Sequence, residues 1–492
     1  MKNNSGFVIR ALAALERAGN RSPQPVVLFA WLMLAIALAS ALAQWLGWQV
    51  NLPGAAAPVA ARSLLSAEGI HWALTHMVDN FVGFAPVGAV LVIMLGLGIA
   101  EHSGLLRVIL MRVVLALRRR FLSFAVVLAG ILSNIAFDVG YVLLIPLAGL
   151  LFQTAGRPAL AGIAAGFAGV SAGYSANLVL GPADIILAGL SSEALQLVAP
   201  GESVSVAANY YFAAVSTLLL ALAGAWVTER VVVPYLGELD TDAAELPEQD
   251  RGSPTGLKAV ALWTLAFALL VAVLAVPEGA PLRDGEGSGF ALQALVPLIA
   301  IYAGIAGLIY GRLSGRFRQR GDATAGMEQA MSALAGYLVL MFFAAQAVAW
   351  FGWSQLGSLL AATGAGALAA FDGQVVVLLM AFILISALIN LFVGSASAKW
   401  GILAPVFVPM LLLLGVAPEQ TQMAYRIGDS VTNIVTPLMP YFGVVLAFAA
   451  RHRPGIGVGT MLAMMLPYSL VFLLVWSAAF ALWLGLGLPL GF

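Results

Sequence analysis

The chain has 492 residues, of which 62% are hydrophobic and only 9% charged, against about 25% charged in an ordinary globular protein. Its mean hydropathy is +0.98, and apolar runs of roughly 20 residues recur along its whole length, so nearly all of its mass belongs in a bilayer and soluble-enzyme readings are excluded. Lys+Arg and Asp+Glu balance at 23 each and Cys is absent, which leaves no charged field for a nucleic acid, no disulfide and no thiolate chemistry.

Residues 1–25, with Arg10, Arg17 and Arg21, form a basic N-terminal segment. The apolar run 26–47 that follows lacks a small-residue cleavage site close behind its core and is predicted to be a retained first span. Further spans are predicted at 85–106, 159–199, 210–228, 259–276, 291–310, 329–351, 423–450 and 458–486, nine in all. The run 159–199 is long and interrupted at Gly181-Pro182, and 423–450 is interrupted as well. Two segments fit no single crossing. One is 121–153, 33 residues with a polar centre, where two full crossings would need about 40 residues and a turn. The other, at about 374–414, has two apolar arms around Gly394-Ser395-Ala396-Ser397-Ala398-Lys399. Both are predicted to be re-entrant helical hairpins, whose broken backbone must be satisfied by protein or water. The fold class is therefore an all-α polytopic membrane protein of nine transmembrane helices and two re-entrant hairpins.

The distribution of positive charge gives the orientation. With this topology 19 of the 23 basic residues lie on the side of the N-terminus, only Arg62 and Arg283 lie opposite, and Lys399 and Arg426 fall within apolar segments. The expected arrangement is a cytoplasmic N-terminus and an external C-terminus. The first half covers 26–230, an acidic cytoplasmic linker 231–257, and the second half 258–492.

Internal repetition is the strongest signal. Asn134 in the first hairpin and Asn177 in the next span are 43 residues apart, as are Asn390 and Asn433 in the second half. Helix-breaking prolines follow at comparable places: Pro146 and Pro405 in the hairpins, Pro182 and Pro437 in the spans. The two hairpins enter from opposite sides, so the repeats are inverted, an architecture of secondary transporters that bind substrate and coupling ion near the midplane. Unwound carbonyls and Asn oxygens can replace a cation's hydration shell, and half-helix N-termini favour anions. Asn134, Asp138, Asn177, Asn390 and Asn433 are the candidates for the breaks and an ion site.

Arg426 and Asp429, three residues apart on one helix face, are expected to pair when the site is empty. A carboxylate substrate would take the Arg and free the Asp for a proton or cation. Trp400 offers a flat surface for an aromatic ring, and Asp138 and Asp184 lie near the first-half breaks. Blander roles compete. Asn and Asp cap loose helix ends, Arg426 and Asp429 can be a purely structural pair, Trp400 an interfacial anchor, and Lys399 a side chain that snorkels out. His71, His76 and Asp79 have the wrong helical spacing for a metal. A pore along the broken helices and an intramembrane hydrolase using Asp138 and Asp184 are minor alternatives.

The stretches Gly169-Val170-Ser171-Ala172-Gly173-Tyr174-Ser175-Ala176-Asn177-Leu178, Gly394 to Trp400 with Leu403-Ala404-Pro405-Val406-Phe407-Val408-Pro409-Met410, and Tyr425-Arg426-Ile427-Gly428-Asp429-Ser430 through Asn433 to Thr436-Pro437 resemble the AbgT family. The resemblance covers essentially the whole chain. It implies bowl-shaped homodimers with nine spans and two hairpins per subunit, carrying p-aminobenzoyl-glutamate inward or p-aminobenzoate and sulfonamides outward. It places Asp184, Ser397, Trp400, Pro418, Arg426, Asp429 and Pro437 at the substrate site and makes Asn390 and Asp429 plausible sodium ligands. The first-half break, Leu180-Gly181-Pro182-Ala183, departs from the small polar residues associated with the importer. The combined expectation is a cation-coupled exporter of p-aminobenzoate-like metabolites and sulfonamide antimetabolites, with a sodium-coupled importer of p-aminobenzoyl-glutamate as the alternative. No organic cofactor is expected, and the coupling ion is H+ or Na+. Spans 26–47, 259–276 and 291–310 would form the dimer scaffold.

Overall fold

The computed structural model describes residues 25–50, 58–115, 121–136, 140–237, 252–277, 279–283, 291, 294–368, 375–436, 439, 441–453 and 455–492. In the first half the helices are α1 (Pro25–Trp45), α2 (Ala67–Thr75), α3 (Met77–Val82), α4 (Ala85–His102), α5 (Leu105–Leu115), α6 (Leu122–Ser133), α7 (Ile145–Thr154), α8 (Ala159–Phe167), α9 (Pro182–Leu195) and α10 (Tyr210–Val227). In the second they are α11 (Pro254–Ala275), α12 (Leu295–Leu313), α13 (Asp322–Ala333), α14 (Ala335–Trp353), α15 (Leu356–Leu368), α16 (Val375–Asn390), α17 (Ala396–Leu412), α18 (Pro418–Thr432), α19 (Phe442–His452) and α20 (Val458–Gly485). The only strands among the described residues are Gln49–Val50 and Val59–Ala60, a short antiparallel pair.

Seven helices among the described residues are long and apolar enough to cross a membrane: α1, α4, α10 with its extension to Leu236, α11, α12, α14 and α20. This is a multi-pass membrane protein. The two spans expected to be interrupted are interrupted. Helix α8 runs into a wide π turn, Ala168–Ala172, and the backbone stays non-helical until α9 restarts at Pro182. There Gly181 is extended and its N–H donates to Asp184 Oδ2 over 2.8 Å. Pro182 sits where a missing N–H costs nothing. In the second half α18 ends in a 3-10 turn, Asn433–Val435, before α19.

The two remaining segments are pairs of short helices. The first comprises α6, a 3-10 turn Asn134–Ala136, then a π turn Gly140–Leu144 leading into α7. The second is α16 and α17, 16 and 17 residues long, below the roughly 20 that a full crossing needs. In each half the first short helix lies against the broken helix: α6 on the π turn 168–172, α16 on α18. Glycine permits both contacts. A Cβ on Gly169 would stand 2.4 Å from the Val127 carbonyl oxygen, and one on Gly428 would stand 2.3 Å from that of Ile383. Small residues at such crossings let backbones approach where no water drives association.

Some boundaries differ from expectation. Helix α10 continues past 230 to Leu236 through the π turn Thr228–Val232. Most of the expected linker, 238–251, lies outside the described residues, and α11 begins at Pro254 with Ser253 as its cap. The span predicted at 329–351 is α14, preceded by the separate helix α13. Helix α15 was not foreseen; its Ala361 and Ala365 pack on Met410 of α17. Helix α11 is almost wholly exposed along its length, with Leu262, Leu265 and Leu269 facing outward.

Candidate functional site

The matched asparagines meet where each pair of short helices touches its broken partner. In the second half Asn390 Nδ2 donates to Asn433 Oδ1 (2.8 Å), to Thr432 Oγ1 (2.8 Å) and to the Asp429 carbonyl (2.6 Å). In the first, Asn134 and Asn177 both donate to the Ile131 carbonyl, over 3.1 and 3.5 Å, and Asn177 Oδ1 accepts from Leu178 N at 2.8 Å. The two halves join here too, since Asn433 Nδ2 donates to the Ser171 carbonyl at 3.3 Å.

Helix α18 is the most polar of the buried helices, yet every residue from Thr421 to Val431 is buried. Its two charges find different partners. Arg426 pairs with Asp184 of α9 at 2.7 Å and also donates to the Ser175 carbonyl at 3.0 Å. Asp429 pairs with Lys399 of α17 at 2.5 Å and accepts from the Tyr425 hydroxyl at 3.1 Å. The expected Arg426–Asp429 pair is therefore replaced by two pairs to distant segments. The reason is reach: Arg426 extends toward the first-half break, whereas Asp429 faces the start of α17. Lys399 does not snorkel; it is 1% exposed and its ammonium also donates to Asn390 Oδ1. Each buried charge costs several kcal/mol to desolvate, and a partner offsets it.

Trp400 is fully buried and stacks on Tyr425, with ring centroids 4.4 Å apart. Its indole N–H donates to Ser191 Oγ (3.0 Å) and the Leu187 carbonyl (3.2 Å). A polar chain continues from Ser191 to Gln422 (2.6 Å) and from Gln422 to Asn209 (2.8 Å). In this conformation the ring presents no open face to a substrate and is no interfacial anchor, because Tyr425 covers one face and α9 takes its N–H. Ser191, Gln422 and Asn209 went unnoticed in the sequence, although polar side chains inside apolar segments were the available signal.

Three of these four charges, Lys399, Arg426 and Asp429, belong to the second half, and Asp184 to the first. The spacing that relates Asn134 to Asn390 sets Leu143, Val170 and Gly173 opposite Lys399, Arg426 and Asp429. Sequence and geometry now point the same way, and residues 10–492 match the model of the family described as the AbgT putative transporter family. The chain belongs to the AbgT transporter family.

Among AbgT proteins, the p-aminobenzoyl-glutamate transport protein of Escherichia coli (strain K12) is 34% identical over 491 residues, 97% of this chain and 95% of its own. The crystal structure of the Alcanivorax borkumensis YdaH transporter superposes with a TM-score of 0.91 at 48% identity, over 95% of this chain and all of that one. Neisseria gonorrhoeae MtrF, described with a class of antimetabolite efflux pumps, superposes at 0.89 with 42% identity, over 96% of this chain and 97% of its own.

Of the residues that the AbgT resemblance brings forward, Asp184, Trp400, Arg426, Asp429 and Asn390 are gathered within one buried network. Ser397 is half-buried in the first turn of α17, 3.4 Å from Ser395 Oγ. Pro418 opens α18, about 12 Å along the axis from Arg426 at 1.5 Å per residue. Asp138 and Pro437 lie outside the described residues. A separate cavity of about 580 Å³ is lined by Met94, Glu101, His102, Arg107, Arg316, Tyr337 and, at the first pair of short helices, Val142 and Leu143. No group of three His, Asp or Glu that could hold a metal occurs among the described residues.

Proposed function

We propose that this AbgT transporter exports p-aminobenzoate-like metabolites and sulfonamide antimetabolites across the bacterial inner membrane, by cation-coupled alternating access. In this reading it works as a homodimer with a cytoplasmic N-terminus and an external C-terminus, and the two pairs of short helices are re-entrant hairpins. The observation that carries it is the Arg426–Asp184 ion pair, 2.7 Å long, buried and shared between the two halves. A substrate carboxylate carries the same charge as Asp184, which holds the guanidinium through Oδ1 alone, and competes with it for Arg426. Displacing Asp184 leaves a buried carboxylate, so occupancy of Arg426 by substrate is linked to the charge state of Asp184. When substrate leaves, the internal pair re-forms and the empty carrier stays neutral at its centre. Aromatic selectivity requires Trp400 and Tyr425 to unstack around the ligand. The MtrF relative, described with antimetabolite efflux pumps, supports export; the E. coli relative, a p-aminobenzoyl-glutamate transport protein, supports that substrate for the second reading, sodium-coupled import.

The deciding measurement is flux of labelled p-aminobenzoate in proteoliposomes under an imposed proton or sodium gradient, each with a collapsed-gradient control. Accumulation opposed to the direction of cation flow is expected for export. Accumulation alongside inward sodium would favour import, and no gradient-dependent flux would reject p-aminobenzoate as substrate.

A further inference from the structure

The AbgT resemblance implies sodium at Asn390 and Asp429, and the oxygens of these side chains do converge. They converge on Lys399. Its ammonium lies 2.5 Å from Asp429 Oδ1 and donates to Asn390 Oδ1 as well. Both partners are essentially inaccessible: Lys399 and Asp429 are each 1% exposed.

Asp429 Oδ2 has no hydrogen-bond partner, but the oxygens around the Asn390 amide are already committed. Asn390 Nδ2 is turned toward the Asp429 carbonyl, Thr432 Oγ1 and Asn433 Oδ1, so an N–H points where a sodium ion would need three oxygens to be free. The amide orientation follows from the network. Flipping Asn390 would set its oxygen against three acceptors and its NH2 against an ammonium. Charge gives the same result. One carboxylate balances one cation, and adding sodium beside Lys399 would leave an unpaired positive charge in a buried site. Nor is Lys399 placed for helix stability. It sits in the first turn of α17, whose cap is Ser395, at the helix end where a cation is electrostatically unfavourable.

We propose that the ammonium of Lys399 is the resident cation of the Asn390–Asp429 site, a tethered substitute for sodium, so that the wild-type chain binds no sodium there. This deepens the cation-coupled reading above, because the coupling ion must act elsewhere or not be sodium. The test reads ion binding alone and holds whatever the substrate proves to be.

Thermal stability of the purified full-length protein would be measured in sodium chloride and in N-methylglucamine chloride at equal ionic strength. The wild type should melt at the same temperature in both. Lys399→Ala should melt several degrees lower in N-methylglucamine, recover with saturable dependence on sodium, and lose that recovery when Asn390→Ala is added. If Lys399→Ala does not fold, Lys399→Met combined with Asp429→Asn removes both charges; it should fold without sodium and stay indifferent to it. Saturable sodium stabilisation of the wild type that Asn390→Ala abolishes would overturn the proposal. So would a stability loss in Lys399→Ala that no sodium concentration reverses, or a charge-free pair that still responds to sodium.

Discussion

Asp184 serves two atoms at once: Oδ2 caps the exposed N–H of Gly181 and Oδ1 holds Arg426. Asp184→Asn separates the two roles, since an amide oxygen can still cap while the charge is gone. An unpartnered buried guanidinium costs about 3–5 kcal/mol, so the melting temperature should fall. Added p-aminobenzoate should then stabilise Asp184→Asn more than the wild type, because the ligand no longer competes with an internal carboxylate. Equal stabilisation of both proteins would remove Arg426 from the ligand site. Asp184, Arg426 and Asp429 were legible in the sequence as candidate site charges, because ionisable residues inside apolar runs stand out, whereas Lys399 could equally have snorkelled out. Their pairing was not legible. Arg426 and Asp429 are neighbours on one helix, and local spacing alone favours joining them. The partners they take instead come from α9 and α17, positions that only the tertiary fold brings near.

At the scale of elements, contact between α16 and α18 depends on Gly428, where an added Cβ would fall 2.3 Å from the Ile383 carbonyl oxygen and 2.8 Å from Ser386 Cβ. Gly428→Val therefore forces backbone apart at the very place where Asn390 reaches across to Asn433. Overpacking of this kind costs about 1–3 kcal/mol, and substrate flux should fall with it. Gly443→Ala is the control, since a Cβ there meets nothing within 4 Å. Side-by-side melting curves check the pair; a Gly428→Val protein as stable as Gly443→Ala would mean that α16 and α18 do not need this close approach. The breaks themselves were readable, from Asn and Pro at matched 43-residue spacing. The π turns were not, because Ala168–Ala172 and Thr228–Val232 carry no residue that forbids an ordinary α-helix. Helix α15 escaped for another reason: at 13 residues, interspersed with Gly, Ser and Thr, it gives no spanning signal.

For the whole molecule, the absence of Cys makes sidedness directly measurable. Single cysteines at Phe121 and Gln153, the two ends of the first pair of short helices, should react with a membrane-impermeant maleimide from the same, cytoplasmic side. Cysteines at Val375 and Leu414 should react from the outside only. Labelling of the two ends of either pair from opposite sides would mean that it crosses the membrane and would reverse the orientation of everything after it. Hydropathy could not settle this alone, since α16 and α17, at 16 and 17 residues, fall only slightly short of a crossing.

The confinement of Lys399, Arg426 and Asp429 to one half, opposite Leu143, Val170 and Gly173, has an energetic meaning. A carrier whose inverted halves were chemically alike could trade their shapes at no net cost and would spend equal time open to either side. Here the halves share a backbone plan but not a charge pattern, so on the proposed alternating-access cycle the inward-open and outward-open forms differ in free energy before any ligand arrives. Each 1.4 kcal/mol or so of that difference is a tenfold bias in population. The unloaded protein therefore has a resting orientation written into its own side chains, and ligands act by shifting it.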